Sequence, residues 1–304
     1  MTLILALIGG SAAMGFGAEH RYRASAERFA RRLMWLVLWV LMPIVTFFNI
    51  ASLHITARVG AGIAFGWAAL AVVLLSAYLV GTRVLHADRP TVGALMNTSA
   101  FGNTGYLGIP LTGALLGLSQ IPNAVAYDTL VSSLALVTVG FSVGAGFGIV
   151  GERPRDRLAA FFLRNPPLWA AVLGLLAPAA LAPGWAVHAS RVLVIAILPI
   201  GFFAVGVTIA AETEEGASKF PPPLSREVVA AVLLKLTVPP LVVLALSALI
   251  ISVPDAYVTQ AAMASGLNNL VIAHSYGLDR RLTAGAIAWS TAVVAVVGLV
   301  AALL

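Results

Sequence analysis

The segment Asn97-Thr-Ser-Ala-Phe-Gly-Asn-Thr-Gly-Tyr-Leu-Gly-Ile-Pro110 places polar and helix-breaking residues inside a long apolar stretch. It holds two Asn, two Thr, one Ser, three Gly and one Pro. Glycine and proline interrupt helical hydrogen bonding, and at membrane depth the freed backbone groups must be buried in protein or line a watery cavity. The segment therefore predicts a transmembrane helix that is broken and that forms half of a substrate site.

The composition of the whole chain indicates a membrane protein. The 304 residues are 60% hydrophobic and 10% charged, and the mean hydropathy is +0.98, whereas a soluble domain carries about 25% charged residues. We therefore expect an all-α polytopic protein whose solvent is the lipid bilayer. The basic residues stand in short runs between apolar stretches, which favours a role in membrane orientation and argues against nucleic acid as a partner.

Several functional classes are disfavoured by what the sequence lacks. There is no cysteine, so disulfides and thiolate metal sites are excluded. A phosphate-binding loop ending in Lys-Ser or Lys-Thr is missing, which argues against an ATP-driven pump within this chain. No nucleophile–base pair, metal-spaced histidine set or carboxylate dyad stands out. The sequence thus predicts neither an enzyme nor a metal site, and no cofactor beyond H⁺ or Na⁺ as a coupling ion.

Ten stretches are long and apolar enough to span a bilayer, which takes about 20 residues. They cover residues 1–18, 33–53, 60–82, 91–118, 122–150, 166–183, 188–211, 225–252, 256–279 and 282–304. If the N-terminus is outside, the inner connections are 19–32, 83–90, 151–165, 212–226 and 280–281, and they hold 15 of the 18 Lys and Arg residues. The outer connections hold only Arg58 and Arg191. This asymmetry predicts that both termini lie on the non-cytoplasmic side, and the membrane that we expect is the cell's inner membrane.

The same layout predicts two inverted five-helix repeats, because an odd number of spans in each half makes the halves enter from opposite faces. We place the first repeat at 1–150 (helices 1–5), a cytoplasmic linker at 151–165 and the second repeat at 166–304 (helices 6–10). The broken helix four then has helix nine as its counterpart. That helix contains Ala264-Ser-Gly-Leu-Asn-Asn269, which is also polar and rich in helix-breaking residues. We expect the two broken helices to cross and to form the substrate site.

The candidate substrate contacts are the polar and helix-breaking residues of these two stretches. They are Asn97, Thr98, Asn103, Thr104, Tyr106, Pro110, Ser265, Gly266, Asn268 and Asn269. The alternative for the asparagines is ordinary hydrogen bonding between helices, worth only about 0.6 kcal/mol on average in membranes. Four asparagines at two matched breaks exceed what packing needs.

Two ionisable residues inside spans are candidates for coupling transport to an ion, because such residues are expensive in lipid. Asp128 could take a proton or cation, or it could be a structural acceptor for a neighbouring helix. Lys235 lies about as deep as Asn268 and Asn269, so it could attract an anion or respond to a coupling ion. Alternatively, its side chain snorkels to the inner headgroups.

The sequence resembles the auxin efflux carrier family in its bacterial-type members. The resemblance rests on Phe101-Gly-Asn-Thr-Gly-Tyr-Leu-Gly-Ile-Pro-Leu111, Leu163-Arg-Asn-Pro166, Leu198-Pro-Ile-Gly201 and Leu234-Lys-Leu236 with Pro239, and it covers nearly the whole chain. Plant members carry a proline in the second crossover, whereas none lies between Ala256 and Leu304 here. Gly266 would serve as the breaking residue.

The resemblance implies ten helices in two inverted repeats, the architecture also seen in bile-acid/sodium symporters. It implies secondary transport of a small organic anion, such as a carboxylate, by elevator-like alternating access, often as a homodimer. It places Asn103 and Pro110 in the first crossover and Asn268 and Asn269 in the second. Two other functions stay open: a sodium-coupled symporter for an organic solute, and a membrane sensor that binds a ligand without moving it.

Overall fold

The computed structural model describes residues 2–54, 56–149, 166–214 and 221–303, and their regular secondary structure is helical, with no strand. We number the helices in chain order. They are α1 Thr2–Tyr22, α2 Ala24–Ala51, α3 Ala57–Val84, α4 Arg89–Ala100, α5 Thr104–Leu116, α6 Leu118–Phe147, α7 Pro166–Leu176, α8 Gly184–Glu214, α9 Arg226–Leu249, α10 Asp255–Ala261, α11 Asn268–Tyr276 and α12 Arg280–Leu303. The predicted linker 151–165 lies outside the described residues.

Among the described residues, six helices are long and apolar enough to cross a membrane. They lie in α2, α3, α6, α8, α9 and α12. Two shorter helices, α5 and α7, are also apolar. The prediction of an all-α polytopic membrane protein is therefore confirmed.

Polar side chains mark where several of the helices begin. The hydroxyl of Thr56 accepts a hydrogen bond from the Val59 amide at 3.3 Å at the start of α3. The carboxylate of Asp88 accepts one from the Thr91 amide at 3.2 Å at the start of α4. Such caps satisfy amides that have no partner inside the helix. Residues 85–88 join α3 to α4, and the two helices pack side by side.

One helix begins earlier than its apolar stretch predicts. Helix α2 starts at Ala24 instead of at residue 33, so most of the basic residues assigned to the connection 19–32 are helical. In the extra turns Ala26 and Ala30 are buried and most other residues are exposed, and Arg31 pairs with Glu27 one turn before it at 2.8 Å. An amphipathic stretch with such an i,i+4 pair continues a helix beyond the lipid. Hydropathy alone does not register those turns.

The helices pack as two groups. Helices α1, α2, α7 and α8 form the smaller group, and α3, α4, α9 and α12 pack together in the larger one, which also contains α5, α6, α10 and α11. In the smaller group, Gly15 of α1 faces the main-chain oxygen of Phe203, and Gly206 of α8 faces that of Ala12. A methyl group on either glycine would overlap those oxygens. The close approach of α1 and α8 therefore depends on glycine.

The two groups meet at a layer of apolar side chains, which we call the apolar seam. Val45 and Ile50 of α2 and Val194 of α8 lie on one side, and Ile109 of α5 and Val125 of α6 lie on the other. All five side chains are buried, at 2% exposure or less. Contacts of this kind carry no directional hydrogen bonds, and burial of apolar surface holds the two groups together.

The helices contain π-helical segments at several levels. They lie at Val37–Leu41, Val80–Val84, Thr104–Gly108, Asp128–Ser133 and Leu136–Gly140. The segments that begin at Thr104 and Asp128 contact each other beside the end of α4. Segments of this type occur frequently at functional sites. The one at Thr104–Gly108 lies within the stretch predicted to hold substrate, and the other begins at Asp128, a predicted coupling residue.

Candidate functional site at the crossing of two broken helices

Helical structure is interrupted within both of the stretches singled out above. Helix α4 ends at Ala100 and α5 begins at Thr104, while α10 ends at Ala261 and α11 begins at Asn268. The first interruption lies before Pro110, which is buried in the first α-helical turn that follows it. Proline suits the first turn of a helix, where its missing N–H is no loss. The break in the first stretch is thus made at residues 101–103, ahead of the proline.

The two interruptions meet and pair through their main chains. Gly102 and Ser265 form an isolated antiparallel bridge. The amide of Asn103 donates to the carbonyl of Ala264 at 2.7 Å, and the amide of Gly266 donates to the carbonyl of Phe101 at 2.9 Å. Backbone groups freed from helices inside a membrane protein need partners of this kind. Each interrupted segment therefore supplies hydrogen-bond partners for backbone groups of the other.

Glycine allows this approach. A methyl group on Gly266 would lie 3.0 Å from the carbonyl oxygen of Gly102, and one on Gly102 would lie 3.1 Å from Cε of Lys235. Both contacts are tighter than ordinary van der Waals separation. Gly266 was predicted as a site residue, whereas the role of Gly102 becomes visible only once the two segments are brought together.

Asn269 ties the two segments together with its side chain. Its Nδ2 donates to the carbonyl of Phe101 at 2.9 Å and to the hydroxyl of Ser265 at 3.0 Å. The amide of Ser265 in turn donates to the hydroxyl of Ser290 on α12 at 3.0 Å. Asn269 is 1% exposed, whereas its neighbour Asn268 is exposed. The structure thus brings Asn269 and Ser265 into the crossing and turns the Asn268 side chain away from buried surroundings.

The last turn of α4 adds three buried polar side chains. Nδ2 of Asn97 donates to the carbonyl of Gly140 on α6 at 3.2 Å, and the hydroxyl of Thr98 donates to the carbonyl of Ala94 within its own helix at 2.7 Å. Among the residues that the structure describes, Oδ1 of Asn97 and the hydroxyl of Ser99 are buried without a hydrogen-bond partner, as is Oδ1 of Asn269. Buried polar atoms without partners are costly and mark places where a ligand, ion or water belongs.

Lys235 reaches the second interruption and does not snorkel. Its side chain is 3% exposed, and Nζ donates to the carbonyl of Ala261, the last residue of α10, at 3.2 Å. The carbonyls at a helix C-terminus attract a cation. Lys235 also lies against Gly102 of the first interruption. Its ammonium group is therefore next to both segments, and the remaining N–H bonds of an ammonium with three donors are open to a ligand.

Asp128 lies next to the first residues of α5, just after the first interruption. The hydroxyl of Thr104 donates to its Oδ1 at 2.5 Å, and a methyl group on Gly105 would lie 3.4 Å from both carboxylate oxygens. Tyr106, one residue further on, is half-buried and packs against Gly201 of α8 across the seam. Neither Asp128 nor Lys235 forms an ion pair within the described chain. An acid and a base thus occupy separate places at the crossing.

Two polar contacts near the site escaped the sequence reasoning. Gln260 is fully buried in α10, and its Nε2 donates to the hydroxyl of Thr112 on α5 at 3.2 Å. The Ser290 hydroxyl holds the amide of Ser265. Each of the two has only a threonine as a polar neighbour, Thr259 before Gln260 and Thr291 after Ser290, so no local pattern singled them out. The predicted residue Asn103 is 8% exposed and joins the crossing through its main-chain amide.

Within the described residues, no group of three or more His, Asp or Glu side chains is placed to hold a metal ion. The ligands that the crossing offers are amide, hydroxyl and carbonyl oxygens, one carboxylate and one ammonium group. This set suits a small polar solute or a monovalent cation better than a transition metal.

Comparison with known sequences gives a match over most of the chain. A sequence model described as membrane transport protein matches residues 5–149 and 160–301. An uncharacterized transporter of Methanocaldococcus jannaschii is 28% identical over 155 residues, which is 49% of this chain and 48% of that protein. An uncharacterized transporter of Methanothermobacter thermautotrophicus is 33% identical over 93 residues, 29% of this chain and 28% of that protein. The chain thus spans about half, or less, of the length of each of these relatives.

Proposed function

Because the chain belongs to the membrane transport protein family and is a membrane transporter rather than an enzyme, we propose that it is a secondary carrier of a small organic anion. The substrate class we propose is a carboxylate, held where the two interrupted segments cross. The observation that carries the proposal is the buried Lys235 ammonium group, which lies against both segments and has donors to spare.

Different polar groups at the crossing would bind different parts of the solute. The ammonium group of Lys235 supplies the charge that an anion needs, since a carboxylate gains most from charge-assisted hydrogen bonds. The buried oxygens of Asn97, Ser99 and Asn269 accept hydrogen bonds from hydroxyl or amide groups of the solute, or from water. The main chain of the two nonhelical segments, residues 101–103 and 262–267, lines the proposed site. Few side chains then lie between the solute and the backbone.

The two helix groups suggest how the solute would move. In our proposal the larger group carries the crossing, and it slides along α1, α2, α7 and α8 in an elevator-like step. The apolar seam supports this, because a surface without directional bonds permits two stable registers. The interrupted segments stand in corresponding places of residues 1–150 and 166–304, as an arrangement of two inverted five-helix repeats requires. A homodimer in the inner membrane, with both termini outside, stays a prediction.

A second candidate is sodium-coupled symport of an organic solute. Three buried oxygens without partners, on Asn97, Ser99 and Asn269, favour it because Na⁺ takes oxygen ligands. The positive charge of Lys235 at the same crossing counts against a cation there.

A transport assay separates these readings. Purified protein in proteoliposomes is supplied with radiolabelled mono- and dicarboxylates under imposed pH, sodium and voltage gradients. We expect carboxylate uptake that does not need sodium. Uptake that requires sodium would favour the symporter, and binding without flux under every gradient would favour a sensor.

Asp128→Asn is expected to uncouple transport from the pH gradient. The variant keeps the size of the side chain and an acceptor for Thr104, but it cannot exchange a proton. Around Asp128, α5 contributes Tyr106, α7 carries no ionisable side chain, and α3 carries Arg58, Tyr78 and Arg83 near its ends. No other acid is therefore at hand to replace it on these helices.

The measurement compares uptake driven by a gradient of one pH unit, which is worth at most about tenfold accumulation per proton, with exchange of labelled for unlabelled substrate. In Asp128→Asn, gradient-driven uptake should fall to the level seen without a gradient. Exchange of labelled for unlabelled substrate should persist. The control is Asp255→Asn, which removes an exposed acid at the start of α10. Unchanged gradient-driven uptake in Asp128→Asn would rule out Asp128 as the proton site.

A further inference from the structure

A second group of polar residues lies away from the crossing, where the end of α2 meets the beginning of α8. Asn49 and Ser190 are almost fully buried, at 0% and 2% exposure. Nδ2 of Asn49 donates to the hydroxyl of Ser190 at 3.1 Å and to the carbonyl of Val45 at 2.8 Å. A fully buried asparagine with both of these bonds cannot turn freely, so its Oδ1 is held in a fixed direction.

That oxygen positions an arginine. Nε of Arg191 donates to Oδ1 of Asn49 at 3.3 Å, and one terminal nitrogen donates to the hydroxyl of Ser52 at 3.4 Å. Both partners are neutral, and Arg191 forms no ion pair within the described part of the chain. A guanidinium group has five N–H donors in a planar fork that matches a carboxylate. The structure thus holds a cation whose charge is not compensated and whose remaining donors are open.

The location of Arg191 connects it to the crossing. Val187 and Val194, which share its side of α8, are buried, and Val194 belongs to the apolar seam. Ten residues further along α8, about 15 Å at the usual helical rise, Gly201 packs against Tyr106 beside the first interruption. Arg191 therefore lies at the end of the seam that leads along α8 to the crossing.

We propose that Arg191, positioned by Asn49 and Ser52, is a second anion site that captures a carboxylate at the mouth of the seam. The inference rests on the proposed function, since it assigns an entry or exit station to the same anion. A fixed, uncompensated positive charge raises the local concentration of anions and their association rate. Long hydrogen bonds to neutral partners suit such a station, because the anion can compete for the guanidinium group and leave again.

Chemical modification tests the site directly. Purified protein is treated with phenylglyoxal, which modifies accessible arginines, and the rate at each arginine is followed by peptide mass spectrometry. Succinate is expected to slow modification of Arg191 several-fold, whereas uncharged succinamide has no effect. Arg58, exposed at the start of α3 near the same end of the bundle, is the internal control. Equal rates at Arg191 with and without succinate, or equal protection of Arg58, would overturn the proposal.

The same experiment separates this inference from the proposed function. In Asn269→Ala, which disables the crossing, protection of Arg191 by succinate should persist. If the wild-type protein carries no carboxylate while succinate still protects Arg191, the proposed function fails and the anion site stands. If carboxylates are carried and Arg191 is never protected, the anion site fails and the proposed function stands.

Transport kinetics then distinguish capture from simple bracing of α2 against α8. Arg191→Gln is expected to raise KM about tenfold at low ionic strength with little change in kcat, and added salt should narrow the difference, because salt screens steering by charge. Arg191→Lys keeps the positive charge but lacks the planar guanidinium group, so its KM should lie between those of the wild type and Arg191→Gln. The matched control Arg58→Gln removes a charge at the same end and should leave KM unchanged. A lower kcat and a lower unfolding temperature at unchanged KM would instead identify a brace.

Discussion

Asn269→Ala is expected to weaken substrate binding and transport strongly while the protein still folds. The substitution removes the side chain that donates to the carbonyl of Phe101 and to the hydroxyl of Ser265, so it loosens the two interrupted segments where the solute is proposed to bind. The main-chain pairing should survive, since the two hydrogen bonds donated by the main-chain amides of Asn103 and Gly266 remain. The effect on affinity should be at least ~10- to 100-fold, the equivalent of about 1.4 to 2.8 kcal/mol.

Two other asparagines make the test specific. Asn123→Ala removes a half-buried amide that bonds Gln120 at the beginning of α6, and it should bind substrate as the wild type does. Asn268→Ala removes an exposed amide one position before Asn269, so its effect should be much the smaller of the adjacent pair. Binding is measured by isothermal titration or by scintillation proximity with the carboxylate found in the transport assay. Wild-type affinity in Asn269→Ala would refute the assignment of the crossing as the substrate site.

Gly15→Ala is expected to destabilise the protein more than any substitution at an exposed position of the same helix. Its methyl group would overlap the main-chain oxygen of Phe203, so α1 and α8 would have to separate along their contact. Overpacking of this kind costs about 1–3 kcal/mol or more, and main chain cannot turn aside as a side chain does.

The control for that substitution lies two residues away. Gly17 is exposed on α1 and has no neighbouring atom within 4 Å of the place a methyl group would occupy, so Gly17→Ala should be neutral or slightly stabilising. Thermal unfolding in detergent, followed by loss of the monodisperse peak in size-exclusion chromatography, compares the two variants. Equal unfolding temperatures for both would mean that α1 and α8 do not approach as closely as the structure has them.

The positions of the two interruptions could be predicted because they depend on residue types that helices in lipid avoid. Asn, Gly and Ser gather around Asn97–Pro110 and Ala264–Asn269, and little else in the apolar stretches resembles them. The break itself is less predictable, since Pro110 is the strongest helix breaker in the first stretch and yet lies within α5. Tertiary pairing at Gly102 decided the place instead.

The choice between neighbouring residues could not be made from sequence. Asn268 and Asn269 are chemically identical, and a helix turns about 100° between them, so only the packing of α11 determines which one is buried. The contacts of Asp128 with Thr104 and of Arg191 with Asn49 join residues 24 and 142 positions apart. Such pairings follow from the way whole helices pack, for which one sequence has no local signal.

The π-helical segments were also beyond the reach of periodicity. A π segment holds one more residue than the α-helical turn it replaces, and it shifts the buried face by about 100° without changing composition. In α6, two such segments follow Tyr127 closely. A pattern of apolar positions read at 3.6 residues per turn therefore loses its register there.

The main-chain pairing at the crossing restricts the chain in a way that side-chain chemistry does not. The hydrogen bonds between the two segments are donated by the amides of Asn103 and Gly266, so an imino acid at either position would delete a bond that joins the two halves of the molecule. A proline in the second segment, absent here between Ala256 and Leu304, would be compatible only at a residue whose nitrogen is not a donor. Hydrogen bonds with the first segment keep the backbone from Ala262 to Leu267 out of helical conformation. The interruption therefore does not require a proline.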